Sequence, residues 1–163
     1  MNIYVISTTG IGNTTLSAFD NALKNAGVYN YNIIPLSSII PLHARVIKRK
    51  KFTSPANEIG HRLYVVKADI RTNQSNKFIA SGLGWYITRN GAGIFVEHEM
   101  ETDTKDAAIT ELTFKISSSI EDMCKFRGEK YNKKNIRMSI AVSEPSLHPR
   151  CALSLAVYKA EPW

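Results

Sequence analysis

Between Thr104 and Arg127, the residues Ala108, Leu112, Ile116, Ile120 and Met123 recur at helical spacing. A long helix there carries one apolar stripe on an otherwise polar surface. A one-sided helix of that length must lie against something apolar, and the chain offers little except strands. The only other helical pattern is Leu16, Phe19, Leu23 and Ala26, with Thr14 or Thr15 able to cap its start and Gly27 placed to stop it in the left-handed conformation. Gly128 ends the long helix. The remainder reads as about seven strands: Ile3 to Ser7, Tyr31 to Leu36, Leu63 to Ile70, Lys77 to Ile87, Gly93 to Glu99, Ile136 to Val142 and Ala152 to Tyr158. Asn90-Gly91 predicts a hairpin closed by a type I′ turn. Gly82 and Gly84 predict a weak point or a bulge in the strand they occupy. Strands joined mostly by hairpins, with two helices that must each cover sheet, predict an α+β fold of stacked, mainly antiparallel sheets with helices packed outside.

A chain of 163 residues has room for one domain with a real core, and no repeat or linker-like stretch divides it. Hydrophobic residues at 44% and charged residues at 21% place it among globular proteins, and no apolar run is long enough to span a membrane. The start, Met-Asn-Ile-Tyr-Val-Ile, has no basic region and no small-residue cleavage site, so a cytoplasmic location is expected. Cys124 and Cys151 read as small buried hydrophobes, not as a disulfide scaffold. His43, His61, His98 and His148 are scattered, and no His or Cys pair has zinc-site spacing, so no metal is expected. The net charge of +7 raises the question of nucleic acid. Its main cluster, Lys48 to Lys51, reads as a solvated basic loop, and no aromatic RNA-binding signature accompanies it; nucleic acid is not the expected partner. The segment Gly10 to Asn13 lacks the spacing of a phosphate loop and reads as a strand-to-helix turn.

Two segments carry more information together than apart. One is Leu16-Ser-Ala-Phe19-Asp20-Asn-Ala-Leu23-Lys-Asn-Ala26-Gly27, leading into Asn32-Ile-Ile-Pro-Leu-Ser37-Ser38-Ile-Ile-Pro41. The other is Gly93-Ile-Phe-Val-Glu97-His-Glu99. In this order and spacing they resemble the pyruvoyl-dependent arginine decarboxylases. The resemblance runs from Leu16 to the last strand and is densest over residues 16 to 41.

It implies a four-layer αββα sandwich. It also implies a chain cut by itself into residues 1–37 and 38–163, with Ser38 becoming a covalently bound pyruvoyl group after its hydroxyl attacks the carbonyl of Ser37. Such a group accepts the electrons released when an α-amino acid loses carbon dioxide. By the same resemblance Glu97 is the proton donor, Asp20 grips the substrate guanidinium, and Asn32, Leu16 and Leu23 help bind substrate. A planar guanidinium fork matched to a carboxylate is the natural chemistry for arginine. The implied reaction is arginine to agmatine and carbon dioxide, in a homotrimer whose sites lie between protomers. Tyr29 and Tyr31 stand where the family carries small residues, which points to a narrower pocket or a different amino acid. The competing expectation is a non-catalytic relative, or a basic binding module, on the same fold.

Overall fold

The computed structural model describes all 163 residues. In chain order the elements are β1 (Asn2–Ile11), α1 (Thr15–Ala26), β2 (Asn32–Pro35), β3 (Ile39–Ile40), β4 (Arg45–Lys48), β5 (Arg62–Thr72), β6 (Phe78–Ile87), β7 (Gly93–Thr102), α2 (Lys105–Phe126), β8 (Arg137–Ser143) and β9 (Arg150–Glu161). One sheet has the order β2-β5-β9-β1-β4 and the other β3-β7-β6-β8. All pairs are antiparallel except β1 with β4 and β2 with β5. The expected α+β architecture of stacked sheets covered by helices is what the chain forms.

Alternation along the central strands builds the layers. On β9, Leu153, Leu155 and Val157 face α1, while Ala156 and Ala152 face the second sheet. A strand covered on both faces reads as a continuous apolar run. On β7, Ile94 and Val96 face Ile116 and Ile120 of α2, while Phe95 turns inward with Leu83 and Trp85 of β6 to meet Ile3 and Val5 of β1. The order from one surface to the other is therefore helix, sheet, sheet, helix. Serine hydroxyls cross the inter-sheet layer: Ser7 donates to Ser139 at 2.8 Å and lies 2.8 Å from Ser154, which is bonded in turn to Ser81. Buried hydroxyls tolerate that layer because each has a partner.

The helix ends follow their sequence signals. Thr14 caps α1 in a reciprocal box with Ser17, and Gly27 at φ 85° closes it with its N–H on the Leu23 and Lys24 carbonyls. Thr104 caps α2 and Gly128 follows it at φ 65°.

Five expectations need correction. Nine strands form, because β3 is two residues long and β4 has only Val46 and Ile47 between charged ends, too little pattern to register. Lys48 therefore ends a strand, and only the rest of the basic run is loop. Gly82 and Gly84 mark no bulge: β6 keeps unbroken register with both neighbours. They let α2 come close, since a Cβ on Gly84 would stand 2.1 Å from Ile116 Cγ2. The register shift falls instead in β5 at Tyr64/Val65. The β6–β7 turn is not type I′, because of Asn90 and Gly91 only Gly91 has positive φ. Asn90 instead uses its side chain, accepting from the Ala92 N–H and the Thr88 hydroxyl. Finally, Cys124 rather than Met123 completes the buried stripe of α2.

Candidate active site

Ser37 and Ser38 form the crossing between the two sheets, since β2 belongs to one and β3 to the other. The crossing is tight. The Ile39 N–H donates to the Ser37 carbonyl at 2.8 Å, a three-residue turn centred on Ser38. Ser38 has no positive φ, which makes it the common inverse γ-turn. The Phe95 N–H on β7 holds the Ser38 carbonyl at 2.8 Å, and the Tyr158 hydroxyl on β9 holds the Ile39 carbonyl at 2.9 Å. The Ser38 hydroxyl donates to Glu97 Oε1. Ser37 is exposed, whereas Ser38 and Glu97 are half-buried.

Period-two alternation on β7 explains why Glu97 points where it does. It shares a face with Phe95, whose ring meets Tyr158 edge-on at a centroid distance of 6.2 Å. His98 points the other way, and its Nε2 lies 2.8 Å from Ser119 Oγ on α2. Burial first, and Lys115 next, push the His98 imidazole below its ordinary range against the opposing pull of Glu97. Burial raises the Tyr158 phenol well above the usual tyrosine range, with the Glu97 charge adding to it. The Glu99 carboxyl is raised by desolvation and then by Asp69. Cys151 is pushed up to about 12, mainly by burial, which leaves an inert thiol.

The turn holds a hydroxyl nucleophile beside a carbonyl already polarised by an N–H, and β7 brings to that hydroxyl a carboxylate that can take its proton. That is the donor set for acyl transfer from a backbone amide to its own neighbouring side chain. The residues present therefore fit the making of a pyruvoyl group at Ser38.

The remaining sequence-predicted residues make no contact with Ser38 or Glu97 through a hydrogen bond or ion pair. Asp20 and Leu16 are exposed on α1, and no cation pairs with the Asp20 carboxylate. The two cations over the ring of its neighbour Phe19 are engaged with Asp69: Lys67 and Arg71 both bind that carboxylate, and the Arg71 guanidinium lies 3.6 Å from the Phe19 ring centroid. Leu23 is 8% exposed and packs in the core beneath the helix. Asn32 donates its Nδ2 to the Gly60 carbonyl at 2.6 Å, which leaves its carboxamide oxygen free. A shallow cleft of about 350 Å³ beside Glu97 is lined by His98, Ser119, Asp122, Met123 and Phe126, and by none of these four residues. Tyr31 is buried and bonded to Glu58 and Ser54, so it belongs to the core; Tyr29 is exposed beside the Phe52 loop. Sequence reasoning missed Tyr158 and Phe95. Period-two patterning places both on inner faces, but nothing in it pairs them with a serine far along the chain.

No helix is long and apolar enough to cross a membrane. The sequence pattern of the family described as pyruvoyl-dependent arginine decarboxylase (PvlArgDC) matches residues 2–161. The pyruvoyl-dependent arginine decarboxylase of Pyrococcus abyssi is 33% identical over 134 residues, covering 82% of this chain and 80% of that protein. That of Thermococcus sibiricus is 27% identical over 159 residues, 98% of this chain and 94% of the other. The Picrophilus torridus protein of the same name is 34% identical over 101 residues, 61% of this chain. Against the Picrophilus torridus and Thermoplasma volcanium relatives, the matched stretch spans only 55% and 59% of their lengths.

Proposed function

The chain belongs to the pyruvoyl-dependent arginine decarboxylase family, and on that premise we propose that it cuts itself between Ser37 and Ser38 and decarboxylates arginine to agmatine. The observation that carries the proposal is the Ser38 hydroxyl bonded to Glu97 inside a turn that already polarises the Ser37 carbonyl.

The cleavage follows from that geometry. Glu97 takes the Ser38 hydroxyl proton as Oγ adds to the Ser37 carbonyl carbon, and the Ile39 N–H faces the oxygen on which charge develops. The C–N bond then breaks, its nitrogen gains a proton, and Ser37 is left esterified to Ser38 Oγ. Loss of the Ser38 Cα proton and of the Cβ–Oγ bond releases Ser37 as a carboxylate and leaves a double bond at residue 38. Addition of water and departure of ammonia give a ketone at the new N-terminus. Fragments 1–37 and 38–163 stay joined, because β1 and β2 are bound within a sheet to β9 and β5.

The pyruvoyl group supplies the carbonyl that accepts the electron pair freed with carbon dioxide. The chain's own residues supply binding and a proton. Asp20 offers a carboxylate with no competing cation to the guanidinium, Leu16 offers apolar surface to the methylenes with Leu23 packed beneath it, and the free Asn32 oxygen accepts an N–H. Glu97, protonated, delivers its proton to the carbon that has lost carbon dioxide. The exposure of Asp20 and Leu16 supports a homotrimer in which α1 of one copy meets Ser38 of the next. A cytoplasmic setting belongs to the same reading.

A denaturing gel with intact-mass analysis tests it. Wild type is expected as two fragments cut after Ser37, and Ser38→Ala as one full-length chain. A wild type that stays whole after long incubation defeats the reading, because no pyruvoyl group can then exist.

A further inference from the structure

We propose that Tyr158 is a positioning residue for the self-cleavage, holding the Ile39 carbonyl so that the residue after the scissile bond cannot rotate. This rests on the self-processing proposed for the chain.

Three successive carbonyls around the scissile bond each accept one hydrogen bond: Ser37 from the Ile39 N–H, Ser38 from the Phe95 N–H, and Ile39 from the Tyr158 hydroxyl. Tyr158 is the only side chain among the donors, and it reaches from β9 in one sheet to β3 in the other. Little else secures Ile39. Its side chain is 47% exposed, and β3 is a two-residue strand pairing only with Gly93 and Ile94. The phenol is itself fixed, half-buried and set edge-on against Phe95, the residue whose N–H holds Ser38. Burial and the Glu97 charge keep it in the donating O–H form.

The hold matters most after the C–N bond has broken. The ester at Ser38 has two fates. Elimination removes the Cα proton, breaks Cβ–Oγ and leads to the ketone. Hydrolysis adds water to the ester carbonyl, breaks the acyl–Oγ bond and leaves an ordinary serine with a free amine at residue 38. The Cα–H is acidic only while that bond lies across the plane of the Ser38 carbonyl, so the peptide between Ser38 and Ile39 must keep its orientation. Phe95 fixes one end of that peptide and Tyr158 fixes the residue at the other. Tyr158 thereby biases the ester toward elimination without touching the reacting atoms.

The experiment follows newly made chains by intact mass, recording the cleavage rate, the ratio of keto to seryl N-terminus on fragment 38–163, and the melting temperature. Tyr158→Phe keeps the ring and removes the donor. Cleavage is expected to slow by about tenfold, the scale of one lost hydrogen bond, with the seryl product rising and melting little changed. A wild-type rate and ratio overturn the proposal. Incorporation of difluorotyrosine at 158 preserves size and packing but ionises at lower pH, so cleavage should fall off at lower pH than in wild type; coincident pH profiles overturn the proposal even where Tyr158→Phe does not fold. A wild type that never cleaves defeats the self-processing reading and this proposal together, and it needs no variant to show it.

Discussion

Glu97 has two proton tasks in the proposed chemistry, taking one from Ser38 and later giving one to a carbon. Both need the same atom in the same place, and the hydrogen bond from Ser38 to Oε1 supplies that place before cleavage. Glu97→Gln keeps the shape and cannot carry the proton. Cleavage should slow, and the fraction of chains that do mature should turn over arginine about 10²–10⁴-fold more slowly, the usual cost of a missing general acid. Steady-state kinetics on material separated by mass into cut and uncut chains checks this; a cut Glu97→Gln chain with undiminished kcat would take Glu97 out of the mechanism. At this scale the sequence was partly legible. Ser37, Ser38 and Glu97 sit in short motifs whose chemistry is local or lies one strand away. Tyr158 was not legible, because its bond to Ile39 spans 119 positions and a β9 tyrosine looks like any other half-buried strand residue.

Elements meet in this protein through small residues. Gly82 and Gly84 lie under α2, and a Cβ on Gly84 would press Ile116 Cγ2 at 2.1 Å with Ile120 Cδ1 and Val96 Cγ2 at 3.3 Å. The branched side chain of Ile116, stiffened by its helix, cannot swing aside. Gly84→Ala is therefore expected to cost about 1–3 kcal/mol by overpacking, measured as a fall in the urea midpoint with little change in slope. Ile116→Ala removes the methyl that the new Cβ would strike, so the double variant should lose less than the sum of the two single losses. The same contact shows why elements were easier to read than their fit. A helical stripe or an alternating strand is written in neighbouring residues, and both helices and seven strands could be read from it. Whether a glycine bends a strand or admits a helix depends on what crosses above it. Strands β3 and β4 escaped because an edge strand pairs through its backbone and needs few apolar side chains.

Over the whole molecule, the layering was legible from alternation and helical stripes, whereas the proposed trimer came only from the family resemblance, because nothing in the sequence pattern marks a surface as one that takes a partner. The flank beside Ser38 is formed by two short edge strands. β2 pairs only with Arg62 to Val65 of β5, and β3 only with Gly93 and Ile94 of β7, so each is an edge strand whose outer side has no ladder partner. α1 meanwhile presents Leu16, 68% exposed, and the unpaired Asp20. If a neighbouring copy supplies these two groups to the Ser38 of the first, each active site draws on two chains of a closed ring. Two defective variants then become complementary. Ser38→Ala cannot make the pyruvoyl group but keeps Asp20. Asp20→Asn makes the group but loses its guanidinium partner, which should raise KM for arginine by about tenfold or more while kcat changes less. Co-expressed in equal amounts and assembled at random, they should form about one intact site in four, restoring activity at low arginine that neither shows alone. Sedimentation should report a trimer for wild type, for each single variant and for the mixture, whether or not a given chain is cut. A site built within one protomer gives no such recovery, since every chain able to make the pyruvoyl group would then lack its own guanidinium partner, and a monomer at working concentration would dispose of the shared site directly.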